Sequence, residues 1–385
     1  MDAESHGDDT KMSKRASLKS KKALIVLPYL KNGDGTAVAI MNYYQSLIDD
    51  GWHVDFMHLK SNACQWLNEV RENNGNVFEL PQANKYTPAV QNRIENVISQ
   101  GNYDLVHVNM PGHIGYSTLR LARKKGIAVR IFHAHNPKNI LNIKTKMSTW
   151  LYDYLIQKEA TDLIACSKSA GESRFGSKDF RVMRNVIDTD RFQYRSDARN
   201  CIRSGLNITN KVVVGVVGRF AAQKNPGFLV HCFAEYVKIE SRAFLLWVGD
   251  GELKQRVEQE LHRLSLDDRY YFAGRKAEVE DWYAAMDLFF LPSVFEGMGI
   301  VFLEAQCTGL PCLGSNHVPV ETEVTELMHR LDLNLPEKVW ALEMKKITDH
   351  AEAEVRQSRA NDFIASGYSH EATKDDLKNY YNHLF

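Results

Sequence analysis

Phe295-Glu296-Gly297-Met298-Gly299-Ile300-Val301-Phe302-Leu303-Glu304 is the segment whose reading decides the fold. Two carboxylates bracket seven residues, and two glycines stand just behind the first. An apolar run, Leu288-Phe289-Phe290-Leu291, leads into it, and a second apolar run follows. This pattern predicts a strand, a tight glycine turn and the first turns of a helix. Such a turn exposes backbone N–H groups at the positive end of a helix dipole, which suits phosphate. Glu304 falls about one and a half turns into the helix, near its mouth.

Working outward, Val212-Val213-Val214-Gly215-Val216-Val217-Gly218-Arg219-Phe220 repeats the pattern near the start of the same half of the chain. Its β-branched run predicts a strand ending at Gly218-Arg219. Gln223-Lys224-Asn225-Pro226 follows, and Pro226 suits the first turn of a helix. The Arg219 guanidinium can fork onto phosphate oxygens, and Lys224 adds a point charge. Taken singly, each is an ordinary surface cation. Both lie at the carboxyl end of a predicted parallel strand, where open α/β sheets hold ligands. The ligand class implied is a diphosphate-linked sugar.

The rest of the chain alternates strand and helix. In the first half, strands are expected at Ala23–Pro28, Val54–His58, Val77–Leu80, Asp104–Val108, Ala128–Phe132, Asp162–Cys166 and Arg181–Met183. The first is followed by a helix from about Thr36 to Asp49. In the second half, strands are expected near 212–217, 243–248, 270–273, 287–291 and 311–313. A last helix is expected over about 370–384. The order predicts an α/β protein of two Rossmann-like, doubly wound domains. Residues 1–22 read as a polar, disordered tail, 23–190 as the first domain, 191–368 as the second, and 369–385 as a helix returning to the first. The linking segment is Ile187–Tyr194. Asp250 and Glu252 are expected to cap the helix after them.

Composition narrows the class. The chain has 385 residues, 48 basic and 48 acidic, so its formal net charge is zero. That balance argues against a general nucleic-acid binder. Six cysteines show no C-x-x-C or Cys/His zinc spacing, so they read as buried or neutral thiols of a reducing compartment. No apolar stretch reaches the roughly 20 residues of a membrane span. The run behind the basic segment Lys11–Lys22 is short and reads as a strand, not a signal peptide. A cytoplasmic protein is expected, with peripheral contact at the inner face of a membrane as an open option. The candidate for that contact is Lys138–Leu155, which carries Lys144, Lys146, Trp150, Tyr152 and Tyr154.

Taken together the motifs resemble the retaining GT-B glycosyltransferases of the E-x7-E group, glycosyltransferase family 4. Gly218-Arg219 with Gln223-Lys224-Asn225, Val248-Gly249-Asp250-Gly251, Phe272-Ala273-Gly274 and Phe295–Glu304 follow the family's order, as does Arg184-Asn185-Val186-Ile187-Asp188 earlier. Met41-Asn42-Tyr43-Tyr44 and His133-Ala134-His135-Asn136 look most like transferases of bacterial capsule and exopolysaccharide assembly. The resemblance implies two domains facing each other across a cleft. It implies transfer of a sugar, with retention, from a nucleoside-diphosphate sugar to a hydroxyl of a glycan or lipid-linked acceptor. UDP is the first expectation for the nucleotide.

Site roles follow from the same resemblance. Arg219 and Lys224 would stabilise the leaving diphosphate in place of a metal. Gly218, Gly297, Met298, Gly299 and Ile300 would line the donor site. Glu296 would hold sugar hydroxyls, and Glu304 the ribose. The Arg275-Lys276 loop would lie against the base. His135 would stabilise charge on the reacting sugar, although His133 shares its strand face and fits as well by spacing. Gly33 and Gly35 form an acceptor-side loop, or an ordinary turn. No metal or other cofactor is expected. Asp188-Thr189-Asp190 spells the D-x-D of metal-dependent transferases, but it lies in the linking segment and reads as structural. Two other readings stay open: another enzyme on this scaffold (a sugar phosphorylase or a nucleotide-sugar epimerase) and a non-catalytic partner subunit of a transferase.

Overall fold

A computed structural model describes residues 21–31, 34–59, 66–81, 87–137, 143–353 and 355–385. Gly33, Cys64 and all but the end of the expected tail lie outside the described residues.

Two parallel sheets make up the molecule. The first contains β1 (Lys22–Leu27), β2 (His53–Leu59), β3 (Val77–Leu80), β4 (Leu105–Val108), β5 (Val129–Ala134), β6 (Asp162–Ala165) and β7 (Arg181–Val182). Its order is β3-β2-β1-β4-β5-β6-β7. The second contains β8 (Val212–Val217), β9 (Ala243–Val248), β10 (Tyr270–Gly274), β11 (Leu288–Leu291), β12 (Cys312–Ser315) and β13 (Met328–Leu331), in the order β10-β9-β8-β11-β12-β13. Strand order reverses between β1 and β4, and again between β8 and β11. These reversals open a crevice at the carboxyl ends of the strands. All the motif loops of both sheets lie at those ends.

The strands form where β-branched and apolar residues run uninterrupted, because helices cover both faces of a parallel sheet. Every residue of β8, β9, β11 and β12 is buried. The sequence reading lacks β13. Met328-His329-Arg330-Leu331 is an edge strand with one buried residue, so it carries no apolar run to betray it.

The chain ends on the first sheet's side. Ile187 bridges Ser369, and His370 N donates to Ile187 O at 2.7 Å. The expected single terminal helix is two, His370–Thr373 and Asp376–His383. Between them the Asp375 carboxylate is taken by Ser46 Oγ at 2.5 Å and Lys378 Nζ at 2.7 Å. Leu377, Tyr380 and Tyr381 then join the core formed by β1 and the Gly35–Asp49 helix.

Candidate active site

The donor-side loops are fixed by packing beneath them. Trp247 on β9 stacks on Phe220 with centroids 4.0 Å apart, and its indole N–H donates to Gly218 O at 3.0 Å. Gly218 is thereby locked at the end of β8. Gln223 and Lys224 occupy a short 3-10 turn. Asn225 then takes a left-handed conformation, and Pro226 opens the Pro226–Val237 helix as expected. Val294 N donates to Gln223 O at 2.8 Å, which ties this loop to the one after β11.

Across that tie sits an ion pair. Lys224 Nζ lies 2.6 Å from Glu296 Oε1, with the Glu296 side chain only 5% exposed. Ser293 Oγ donates to the same oxygen at 2.5 Å, and Gln223 Nε2 approaches Oε2 at 3.4 Å. Ser315 Oγ on β12 in turn donates to Ser293 O at 2.5 Å. A carboxylate this buried needs its charge matched and its lone pairs filled. Ser293 was not read from the sequence; an isolated serine after a strand gives no signal.

Glu304 lies in the Ile300–Cys307 helix, which starts from Gly299 at φ 70 without a side-chain cap. Its first N–H groups are therefore left without a side-chain acceptor. Met298 is buried beneath the turn. The Glu304 carboxylate is buried and accepts from Tyr283 OH at 2.7 Å. Burial pushes its pKa up to about 7, while the Tyr283 bond and the Arg191 charge act against the rise. Arg191, from the linking segment, pairs with Glu280 at 2.8 Å.

On the first-domain side, His135 follows β5. His107, His133 and His135 form a buried column. The first two rings stack at 5.3 Å between centroids, and His133 lies 4.0 Å from His135. Burial lowers the pKa of His135 to about 3 and that of His107 likewise to about 3; His133 falls well below its usual value. All three are neutral near pH 7. Asn109 fixes the tautomer of His135. Its Nδ2 donates to His107 O at 3.4 Å, so its Oδ1 is the atom 2.8 Å from His135 Nε2. Nε2 therefore carries the proton, and Nδ1 is a bare acceptor, buried and unpartnered. Spacing left His133 and His135 equivalent. His133 has neither ring nitrogen bonded and sits one step deeper in the column.

The two domains meet at Gly297. A Cβ placed there would lie 1.8 Å from His135 O and 2.9 Å from Asn136 Oδ1. Only glycine permits this approach. Ser167 Oγ also donates to Gly297 O at 3.1 Å, and Lys168 N to Glu321 Oε1 at 2.9 Å. At the cleft mouth, exposed Arg219 and Arg275 act electrostatically on Lys31. Lys31 is held below the usual lysine value by burial first and then by Arg275, with Arg219 adding to it. Asp34, raised by burial, feels Lys31 and Arg219 as well.

One expectation, the Asp250 cap, is corrected, and the other candidates are placed. In the loop expected against the base, Lys276 rests its Nζ over the Trp282 ring at 4.8 Å, and the Arg275 charge reaches Lys31. Asp250 does not cap the next helix. Its Oδ1 accepts from Gly251 N at 2.9 Å, and the helix starts at Lys254 after Leu253 with no side-chain cap. Gly35 is the first residue of its helix, and a Cβ there would meet nothing within 4 Å; Asp34 provides the cap by accepting from Thr36 N and Ala37 N. Cys201 is exposed, whereas Cys166, Cys232, Cys307 and Cys312 are buried. Asp188 Oδ1 accepts from Asp190 N and Arg191 N at 3.1 and 3.0 Å, a local turn of the linking segment. Among the described residues no group of three or more His, Cys, Asp or Glu could hold a metal ion.

Family models match both halves of the chain. Residues 33–191 match the model described as Glycosyltransferase Family 4, and residues 211–332 match Glycosyl transferases group 1. Both halves of the chain are thus similar to glycosyltransferases, the first half to family 4. The chain is 29% identical to the putative glycosyltransferase EpsF of Bacillus subtilis over 332 residues, 83% of this chain and 86% of that one. Over 141 residues, 35% of this chain and 36% of the other, it is 33% identical to the UDP-Gal:alpha-D-GlcNAc-diphosphoundecaprenol alpha-1,3-galactosyltransferase of Escherichia coli. Its fold is that of Anabaena HepE, solved in complex with UDP and glucose, with a TM-score of 0.78 at 17% identity over 94% of this chain and 99% of that one.

Proposed function

We propose that this glycosyltransferase moves a hexose from a UDP-sugar to a hydroxyl of a glycan or lipid-linked acceptor, with retention at the anomeric carbon and without a metal. The observation that carries the reading is the convergence of Lys224, Glu296 and the uncapped Ile300–Cys307 helix on the point where Gly297 touches His135. The UDP in the HepE complex and the diphosphoundecaprenol-linked sugar in the Escherichia coli relative's name support the donor and acceptor classes.

The roles follow from charge. Diphosphate enters as an anion between Arg219 and Lys224, and the helix N–H groups receive its oxygens. Lys224 then exchanges its partner from Glu296 to phosphate. Glu296 is freed to accept from sugar hydroxyls while Ser293 keeps its position. Glu304 accepts from the ribose hydroxyls. As the glycosidic bond to phosphate breaks, positive charge grows at the anomeric carbon and its ring oxygen. His135, neutral, offers acceptor atoms to that charge and no proton. Glu296, the carboxylate at this point, is committed to Ser293 and the sugar hydroxyls, so a front-face displacement fits best. The hydroxyl attacks on the face the diphosphate leaves, and its proton passes to the departing phosphate oxygen.

Calorimetric titration with UDP, GDP and ADP in EDTA tests the donor assignment. UDP is expected to bind, and Glu304→Ala to weaken it by roughly tenfold or more, as loss of hydrogen bonds to a charged group implies. Equal binding of all three nucleotides, or none, contradicts the assignment.

A further inference from the structure

The Ile143–Glu159 helix shows an apolar face to solvent. Met147, Trp150, Leu151 and Tyr154 are 70%, 62%, 47% and 47% exposed. Their spacing of i, i+3, i+4 and i+7 puts all four on one side of the helix. Buried helix faces have this spacing; here it faces outward. Trp150 and Tyr154 stack within 8° of parallel at 6.1 Å, and Lys158 lies over the Tyr154 ring at 4.6 Å. The stripe thus runs from aliphatic and aromatic rings into a cation.

The exposed charge of this helix and of the Gly112–Lys124 helix beside it has one sign. The helix's acids are Asp153 and Glu159, both buried. Asp153 pairs with Arg174 at 3.0 Å, and Glu159 with Arg123 at 2.6 Å. Its described basic side chain, Lys158, is exposed. The adjoining Gly112–Lys124 helix has no acidic residue and exposes Arg120, Arg123 and Lys124. It packs its Tyr116 on Tyr152, and Arg120 covers Tyr116. Exposed aromatics beside cations, with the acids turned inward, match a surface that is apolar beneath and anionic on top. A soluble partner protein with that composition would present its own apolar core to water when free.

We infer that this face docks on an anionic lipid bilayer, with Met147, Trp150, Leu151 and Tyr154 entering the headgroup–acyl boundary and Arg120, Lys124 and Lys158 meeting lipid phosphates. The docking helix is fixed to the cleft. Arg174 bonds Asp153 on this helix and also Asn136 O at 3.0 Å and Pro137 O at 3.3 Å, just after His135. A membrane held by the stripe therefore keeps the acceptor side of the cleft at a fixed offset from the lipid surface. The inference deepens the lipid-linked acceptor of the proposed function, but docking uses neither nucleotide nor cleft, so the two fail separately.

The test is flotation of the full chain with phosphatidylcholine vesicles, with and without about one-third phosphatidylglycerol, at low and high salt. Wild type is expected to float with the anionic vesicles and to be released by salt. The Met147→Ser, Trp150→Ser, Leu151→Ser triple variant is expected to lose roughly tenfold or more of this binding with an unchanged melting temperature, since exposed side chains contribute little to stability. Lys158→Glu with Arg120→Glu is expected to remove the anionic-lipid preference and keeps the test decisive if the triple variant misfolds. No flotation of wild type overturns the inference. So does equal flotation of the charge-reversed variant, or a concentration-dependent dimer without lipid binding that the triple variant abolishes.

Discussion

Lys224 and Glu296 neutralise each other in the free protein, and this decides how each behaves when changed. The pair lies largely out of water, so removing one partner strands the other. Glu304 is a different case, because among the described residues no counter-ion lies within bonding distance of it. Its pKa of about 7 stands above the ordinary value of 4.5. Between those values the folded state holds a proton that the unfolded state releases. Stability from this group is therefore present at low pH and is lost as pH rises toward and through about 7. Nucleotide binding runs the other way, because ribose hydroxyls donate best to the ionised carboxylate. The UDP affinity of wild type is expected to tighten from about pH 6 to about pH 8 by several-fold, and that of Glu304→Gln to stay flat. A calorimetric series gives both curves; parallel curves would remove Glu304 from the ribose site.

At the scale of the element, most of the frame was legible. Strands β8, β9 and β11 are apolar runs each followed by glycine or proline, so period and punctuation located them to within a residue. The turn from Glu296 into the Ile300–Cys307 helix was legible because glycines at 297 and 299 leave few alternatives. What the sequence hid was partnership across distance. Tyr283 reaches Glu304 from 21 positions away because β11 lies between their helices, whereas Ser293 meets Glu296 within one loop. Tyr381 reaches His107 at 2.7 Å from 274 positions away. A histidine column built from β4 and β5 has no local pattern, since alternation places His133 and His135 on one face without saying which meets the cleft. The close approach of Gly297 to His135 O was likewise visible only as a glycine. Gly297→Ala is expected to hold the two domains apart, because a Cβ 1.8 Å from a backbone carbonyl forces one side to move. Small-angle scattering should then show a larger radius of gyration than wild type, with donor turnover lost and each domain still folded. An unchanged radius with full turnover would mean that this contact is not what closes the cleft.

For the whole molecule, two parallel sheets place every chemical residue at strand carboxyl ends and turn those ends toward each other. Ile187 with Ser369, and Tyr43 OH on Arg184 O at 2.7 Å, bind the linking segment to the chain's last turns and to the first domain. No described helix is long and apolar enough to cross a membrane. The central claim is that fixed cations take the charge of the departing diphosphate. It is tested by mass-spectrometric detection of free sugar and UDP from a panel of UDP-sugars in EDTA, with wild type and Lys224→Ala side by side. The account predicts slow release from one donor by wild type. It predicts a rate lower by about 10²–10³-fold for Lys224→Ala, the effect of one lost preorganised donor to developing negative charge. A Lys224→Ala protein that is folded and turns over the donor at the wild-type rate, or a wild type that works only when a divalent metal is supplied, would contradict it.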